Sequence, residues 1–73
     1  MASDGLEQAA ADCDHLADRL DVAVRHLRAS AGHFRAADVP RACAHLLATE
    51  GELIAVRRGL DTRAEAHAAR SDA

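Results

Sequence analysis

The sequence contains no lysine, tryptophan or tyrosine, and Phe34 and Pro40 are its only phenylalanine and proline. A β-sandwich or barrel draws on alternating runs of β-branched and aromatic residues, and this chain has few of either. No stretch approaches the ~18 consecutive apolar residues that a membrane-spanning helix requires. The opening Met1-Ala2-Ser3-Asp4-Gly5 lacks the basic stretch and apolar run of a signal peptide. Two cysteines, Cys13 and Cys43, are too few for the disulfide framework of a small secreted domain. The formal charge of −3 separates the chain from nucleic-acid binders, which normally present a net basic face. The absences together lead us to expect an all-α cytoplasmic protein with reduced thiols, and neither nucleic acid nor membrane among its partners.

What is present favours helix. Alanine supplies 19 of the 73 residues, and alanine has the highest helix propensity. All nine basic residues are arginine, a bias that fits a G+C-rich bacterial coding sequence and carries no mechanism. Seventy-three residues allow one domain, and a chain this short buries only ~60% of the surface its unfolded form exposes. Such a core needs a staple: a disulfide, a metal or a second subunit.

A seven-residue period runs through the first half. Leu6, Cys13, Leu20, Leu27 and Phe34 recur every seventh residue, with Ala9, Leu16, Ala23 and Ser30 between them. That is the a/d pattern of packed helices. Ala10, Ala17, Val24 and Ala31 widen the stripe. Ser3 or Asp4 can cap its start, with Glu7 in capping-box spacing from Asp4. The pattern breaks at Ala36-Ala37-Asp38-Val39-Pro40. Proline disfavours helix in the residue before it yet fits a helix's first turn, and Asp38 is a suitable N-cap. The second half repeats the period with Val39, Leu46, Leu53 and Leu60, interleaved by Ala42, Thr49 and Val56, and widened by Cys43, Leu47 and Ile54.

The pattern predicts helix over about 4–36, a turn at 37–39, helix over about 40–68 and a frayed end at 69–73. Two long helices joined by so short a turn lie antiparallel, as a coiled-coil-like hairpin. Folding at 37 or 38 sets residue n beside residue 75 − n, give or take a turn of helix. Asp12, Asp14, Asp18 and Asp21 then lie beside Arg57, Arg58 and Arg63, while Arg25 and Arg28 face Glu50 and Glu52. Such pairs add little stability but select register.

Each helix in a lone hairpin needs one apolar seam, and these stripes are wider than that. We therefore expect a homodimer, closing as a four-helix bundle, or docking onto a protein partner. The expected interface comprises Leu6, Cys13, Leu16, Leu20, Val24, Leu27 and Phe34 on the first helix. On the second it comprises Cys43, Leu46, Leu47, Leu53, Ile54, Val56 and Leu60.

Candidate chemistry centres on a repeated Cys-x-His, Cys13-Asp14-His15 and Cys43-Ala44-His45. Thiolate and imidazole suit zinc or copper. Residues two apart diverge by about 200° round a helix, so one pair alone cannot readily chelate an ion. The two cysteines lie roughly 28 Å apart along the hairpin at 1.5 Å per residue, too far for an intramolecular disulfide. A dimer with its two-fold axis near the hairpin's midpoint would bring Cys13 of one copy level with Cys43 of the other. Packing explains both thiols more simply, since free cysteine behaves as a small hydrophobe. Asp12-x-x-His15 has the spacing of bundle metal motifs but lies beside the seam and lacks a counterpart on the second helix. His26 and His33, seven apart and thus about 10.5 Å, are too far apart to share an ion. No nucleophile sits with a positioned base, and no glycine-rich phosphate cradle appears. The sequence points first to a non-enzymatic interaction module without a cofactor. A Cys/His metal or thiol sensor is the second reading. A small helical enzyme gripping an anion through Arg57, Arg58 and Arg63 with Arg25 or Arg28 is the third.

Overall fold

The computed structural model describes residues 2–72, with side chains described for residues 5–69. Two helices, α1 (Ala2–Arg35) and α2 (Val39–Asp72), pack against each other as an antiparallel hairpin. The Cα trace measures 55 × 19 × 10 Å. It is a slab one helix thick.

The first helix begins at Ala2, so Ser3 and Asp4 lie within it; their side chains, and the capping box they would form, fall outside the described ones. At its other end α1 stops one residue short of the expected 36. Ala37 there takes a positive φ of 59°. Its N–H donates to the Phe34 carbonyl at 3.0 Å, and the Asp38 N–H donates to the His33 carbonyl at 2.8 Å. This pair of bonds is a Schellman cap, which satisfies carbonyls that would otherwise end the helix unpaired. Glycine normally fills the left-handed position; alanine does so here.

Asp38 then opens α2 as its N-cap. Its Oδ1 accepts from the Arg41 N–H at 3.3 Å, and its carbonyl accepts from the Ala42 N–H at 3.1 Å. Pro40 falls in the first turn, where its missing donor costs nothing. The helix continues to Asp72, through 69–72 where the fading apolar pattern predicts fraying.

The packing differs from the simplest reading of the heptads. The buried residues among those described are Ala23, Ser30, Ala42, Thr49 and Val56, all from the row of smaller side chains. Ser30 Oγ donates to the carbonyl of Ala42 at 2.8 Å. A serine reaches a backbone carbonyl on a neighbouring helix only where the two backbones approach closely, and small residues permit that approach. Thr49 Oγ1 donates to the His45 carbonyl one turn back, at 2.9 Å. Both buried hydroxyls are thus satisfied, which removes the usual cost of polar burial. The leucines of the other row, Leu6, Leu20, Leu27, Leu46, Leu53 and Leu60, are exposed together with Phe34. They flank the seam instead of filling it.

Ion pairs cross the seam on one side. Arg63 Nη1 meets Asp12 Oδ2 at 2.9 Å, on the expected register, and Arg19 Nη1 meets Glu52 Oε2 at 3.1 Å. The partner of Glu52 is therefore Arg19 and not Arg25 or Arg28, which are exposed. Arg19 belongs to the heptad row 12–19–26–33 bordering α2, whereas Arg25 and Arg28 point away from the seam by helical geometry.

Candidate functional site

The buried row divides the slab into two unlike faces. In an antiparallel hairpin, positions four residues beyond the buried row lie on one side of the seam on both helices, and positions three beyond it lie on the other. Leu6, Cys13 and Leu60 line one open groove, while Asp12, Leu16, Gly59 and Thr62 line another. The two grooves mark the two faces.

The first face is apolar. Helix α1 gives it Leu6, Cys13, Leu20, Leu27 and Phe34, with Val24 beside them. Helix α2 gives it Val39, Leu46, Leu53 and Leu60, bordered by Cys43, Leu47 and Ile54. Every one of these residues is exposed. The most sheltered large one, Leu46, keeps 41% of its surface, and Leu6 and Leu47 keep 70%. Of the fourteen residues expected at an interface, only Val56 is buried; Leu16 is half-buried, lying over Gly59. The other twelve stand on or beside the open face.

The second face is polar and internally paired. Successive positions of α1, namely Asp12, Arg19, His26 and His33, interleave with His45 and Glu52 of α2. His26 Nδ1 and His45 Nδ1 are 2.9 Å apart. The His33 ring stacks on His45 at 12° with centroids 5.3 Å apart, and the His26 ring lies tilted to His45 at 5.1 Å. His45 thus bridges two histidines too distant to meet each other. This cluster was legible in the expected register, which sets position 45 opposite position 30, midway between 26 and 33. The Cys-x-His repeat, read along one helix, gives no sign of this contact across the seam.

Within the single hairpin the Cys/His set is dispersed, as the register leads one to expect. Cys13, His15 and Cys43 are exposed, and His45 is half-buried on the polar face. Among the described residues no group of three or more histidines, cysteines, aspartates or glutamates is placed to hold a metal ion. Arg57 and Arg58 are exposed, while Arg63 is half-buried against Asp12. Of the five arginines expected at an anion clamp, Arg63 is the one that lines either of these two grooves.

No helix among the described residues is long and apolar enough to cross a membrane. No protein-family model matches this sequence, and no curated protein or solved structure matches it significantly. Function must therefore be read from the two faces themselves.

Proposed function

We propose that this chain is a non-enzymatic interaction module that works by self-association, two hairpins closing their apolar faces on each other as a four-helix bundle. The observation that carries this reading is the placement of the large apolar side chains. They stand outside a seam built of alanine, serine, threonine and one valine.

Scale supports it. The chain exposes 5549 Å², against about 4,300 Å² for a compact monomer of this mass. Its radius of gyration is 16.8 Å, where a compact chain of this length has about 11 Å. The excess surface, about 1,200 Å², exceeds the ~800 Å² each partner buries in a standard stable interface. Stable domains are built from at least two packed layers, and this slab supplies one.

A second copy suits the face better than an unrelated partner for two reasons. Both helices contribute equivalent rows, so the surface is its own complement under a two-fold axis. The border of α1 also carries Asp14 and Asp21 in its first half and Arg28 and Arg35 in its second, all exposed. Antiparallel copies oppose these signs; parallel copies would set like beside like. The polar face and hairpin ends remain outward, available to a protein partner in the role of regulator, adaptor or accessory subunit.

Sedimentation equilibrium across nanomolar to micromolar protein tests the proposal, beside the double variant Leu27→Glu/Leu53→Glu. The expected result is a dimer for the native chain, with helix content falling as it dissociates, and loss of association in the variant. A native chain that stays a folded monomer at micromolar concentration overturns the proposal.

A further inference from the structure

We infer that Phe34 of one copy is the anchor that fills the groove at the open end of the other, so that each dimer holds two such contacts. This inference rests on the self-association proposed above and assigns its register.

The groove lies on the apolar face, at the end of the hairpin away from the turn. Leu6, Ala9 and Cys13 of α1 line it with Leu60 and Ala64 of α2, and its volume is about 490 Å³. Side-chain size explains the opening. Ala9 and Ala64 are small. Arg63, which also lines the groove and continues the seam row 42–49–56, turns its guanidinium to Asp12 on the polar face. Leu6 and Leu60 stand as walls, 70% and 55% exposed. The volume falls within the range of sites that enclose a small organic group.

Phe34 lies at the opposite end of the same face and is 47% exposed. It is the single phenylalanine in a chain without tryptophan or tyrosine. Aromatic side chains bury the most area per residue and dominate interface energetics. Within its own chain Phe34 is 25 residues from Ala9, ~37 Å along the helix, and cannot reach the groove. Only a second copy brings the two together.

The register follows from two rows of α1. Leu6, Cys13, Leu20, Leu27 and Phe34 are symmetric about Leu20, with fourteen residues to either end. A two-fold axis beside Leu20 sets Leu20 against its own copy, Cys13 against Leu27 and Leu6 against Phe34. That axis falls near the middle of α1 (Ala2–Arg35), so almost the whole face is covered. The exposed charged row of Glu7, Asp14, Asp21, Arg28 and Arg35 is symmetric about Asp21. In the same register, to within two residues, Glu7 meets Arg35 and Asp14 meets Arg28. Asp21 comes level with its own copy at the exposed edge, where solvent and salt screen the pair. Helical side chains lean towards the N-terminus of their helix, so the Phe34 ring covers the turn before it. In the antiparallel partner that is the level of Ala9, between Leu6 and Cys13. The ring falls on the groove.

The test is isotope-filtered NMR on a mixture of labelled and unlabelled full-length chains, beside sedimentation of Phe34→Ala. A single phenylalanine gives one set of ring signals. Intermolecular contacts from that ring are expected to the methyl groups of Leu6, Ala9 and Leu60. Phe34→Ala is expected to weaken association roughly a hundredfold. A dimer whose Phe34 ring contacts Leu27, Phe34 or Val39 of the other copy instead, or no residue of it, overturns the inference and leaves self-association standing. A variant that associates within about threefold of the native chain does the same. A native chain that stays monomeric overturns both. The NMR contacts are read on the native chain, so they decide even if Phe34→Ala fails to fold.

Discussion

Ser30 on α1 and Ala42 on α2 meet through a 2.8 Å hydrogen bond from a side-chain hydroxyl to a backbone carbonyl. Ala42 is fully buried at this point, with 0% of its surface exposed. The pair defines how closely the helices approach, and it makes the seam sensitive to size. Ser30→Ala keeps the space and loses the bond, at a cost of about 1 kcal/mol. Ala42→Leu adds volume where there is none and is expected to cost more, about 1–3 kcal/mol. Urea midpoints taken at one fixed protein concentration give both values, and the order of the two costs is the critical outcome.

The turn offers a change in the other direction. Ala37 holds a φ of 59° as the closing residue of α1, a conformation that costs L-residues roughly 1–2 kcal/mol and glycine little. Ala37→Gly gives back part of that gain through a more flexible unfolded chain. A net stabilisation of about 0.5–1 kcal/mol is expected in thermal or urea unfolding.

Two glycines inside α2 separate propensity from packing. A Cβ at Gly51 would meet nothing within 4 Å, whereas one at Gly59 would come 2.5 Å from Leu16 Cδ2. Gly51→Ala should stabilise by about 1 kcal/mol, the full difference in helix propensity. Gly59→Ala must push Leu16 from its rotamer and should fall short of that gain by about 0.5–1.5 kcal/mol. Equal effects in paired unfolding curves would show that Leu16 does not rest on Gly59.

Much of this architecture was legible from spacing alone. The seven-residue period gave both helices, Pro40 and Asp38 gave the boundary, and charge gave the Asp12–Arg63 pairing. The choice between two candidate rows was not legible. Hydrophobicity ranks Leu20 and Leu27 above Ala23 and Ser30 as core residues. Close backbone approach ranks them the other way, and Ser30 carries no cost once Ala42 accepts its proton. The left-handed residue at the turn was hidden too, because alanine gives no local signal for that conformation. The interface residues were visible as a set, but their side of the seam was not.

The thiols report on the apolar face without any substitution. Cys13 and Cys43 are both exposed in the single hairpin, and both lie on the side expected to be covered. Their reaction with an aromatic disulfide reagent should therefore slow as protein concentration rises through the association range. It should reach full speed in denaturant at every concentration. A rate independent of concentration would mean that the face stays open.

With Cα atoms spread over only 10 Å in its thin direction, the slab buries, among the described residues, just a row of small side chains and Val56. An uncovered run of leucines is also the feature by which quality-control proteases and chaperones recognise unfinished chains. On the self-association proposed above, dilution below the association range would leave that run of leucines bare, so the free hairpin would be the form most open to such recognition.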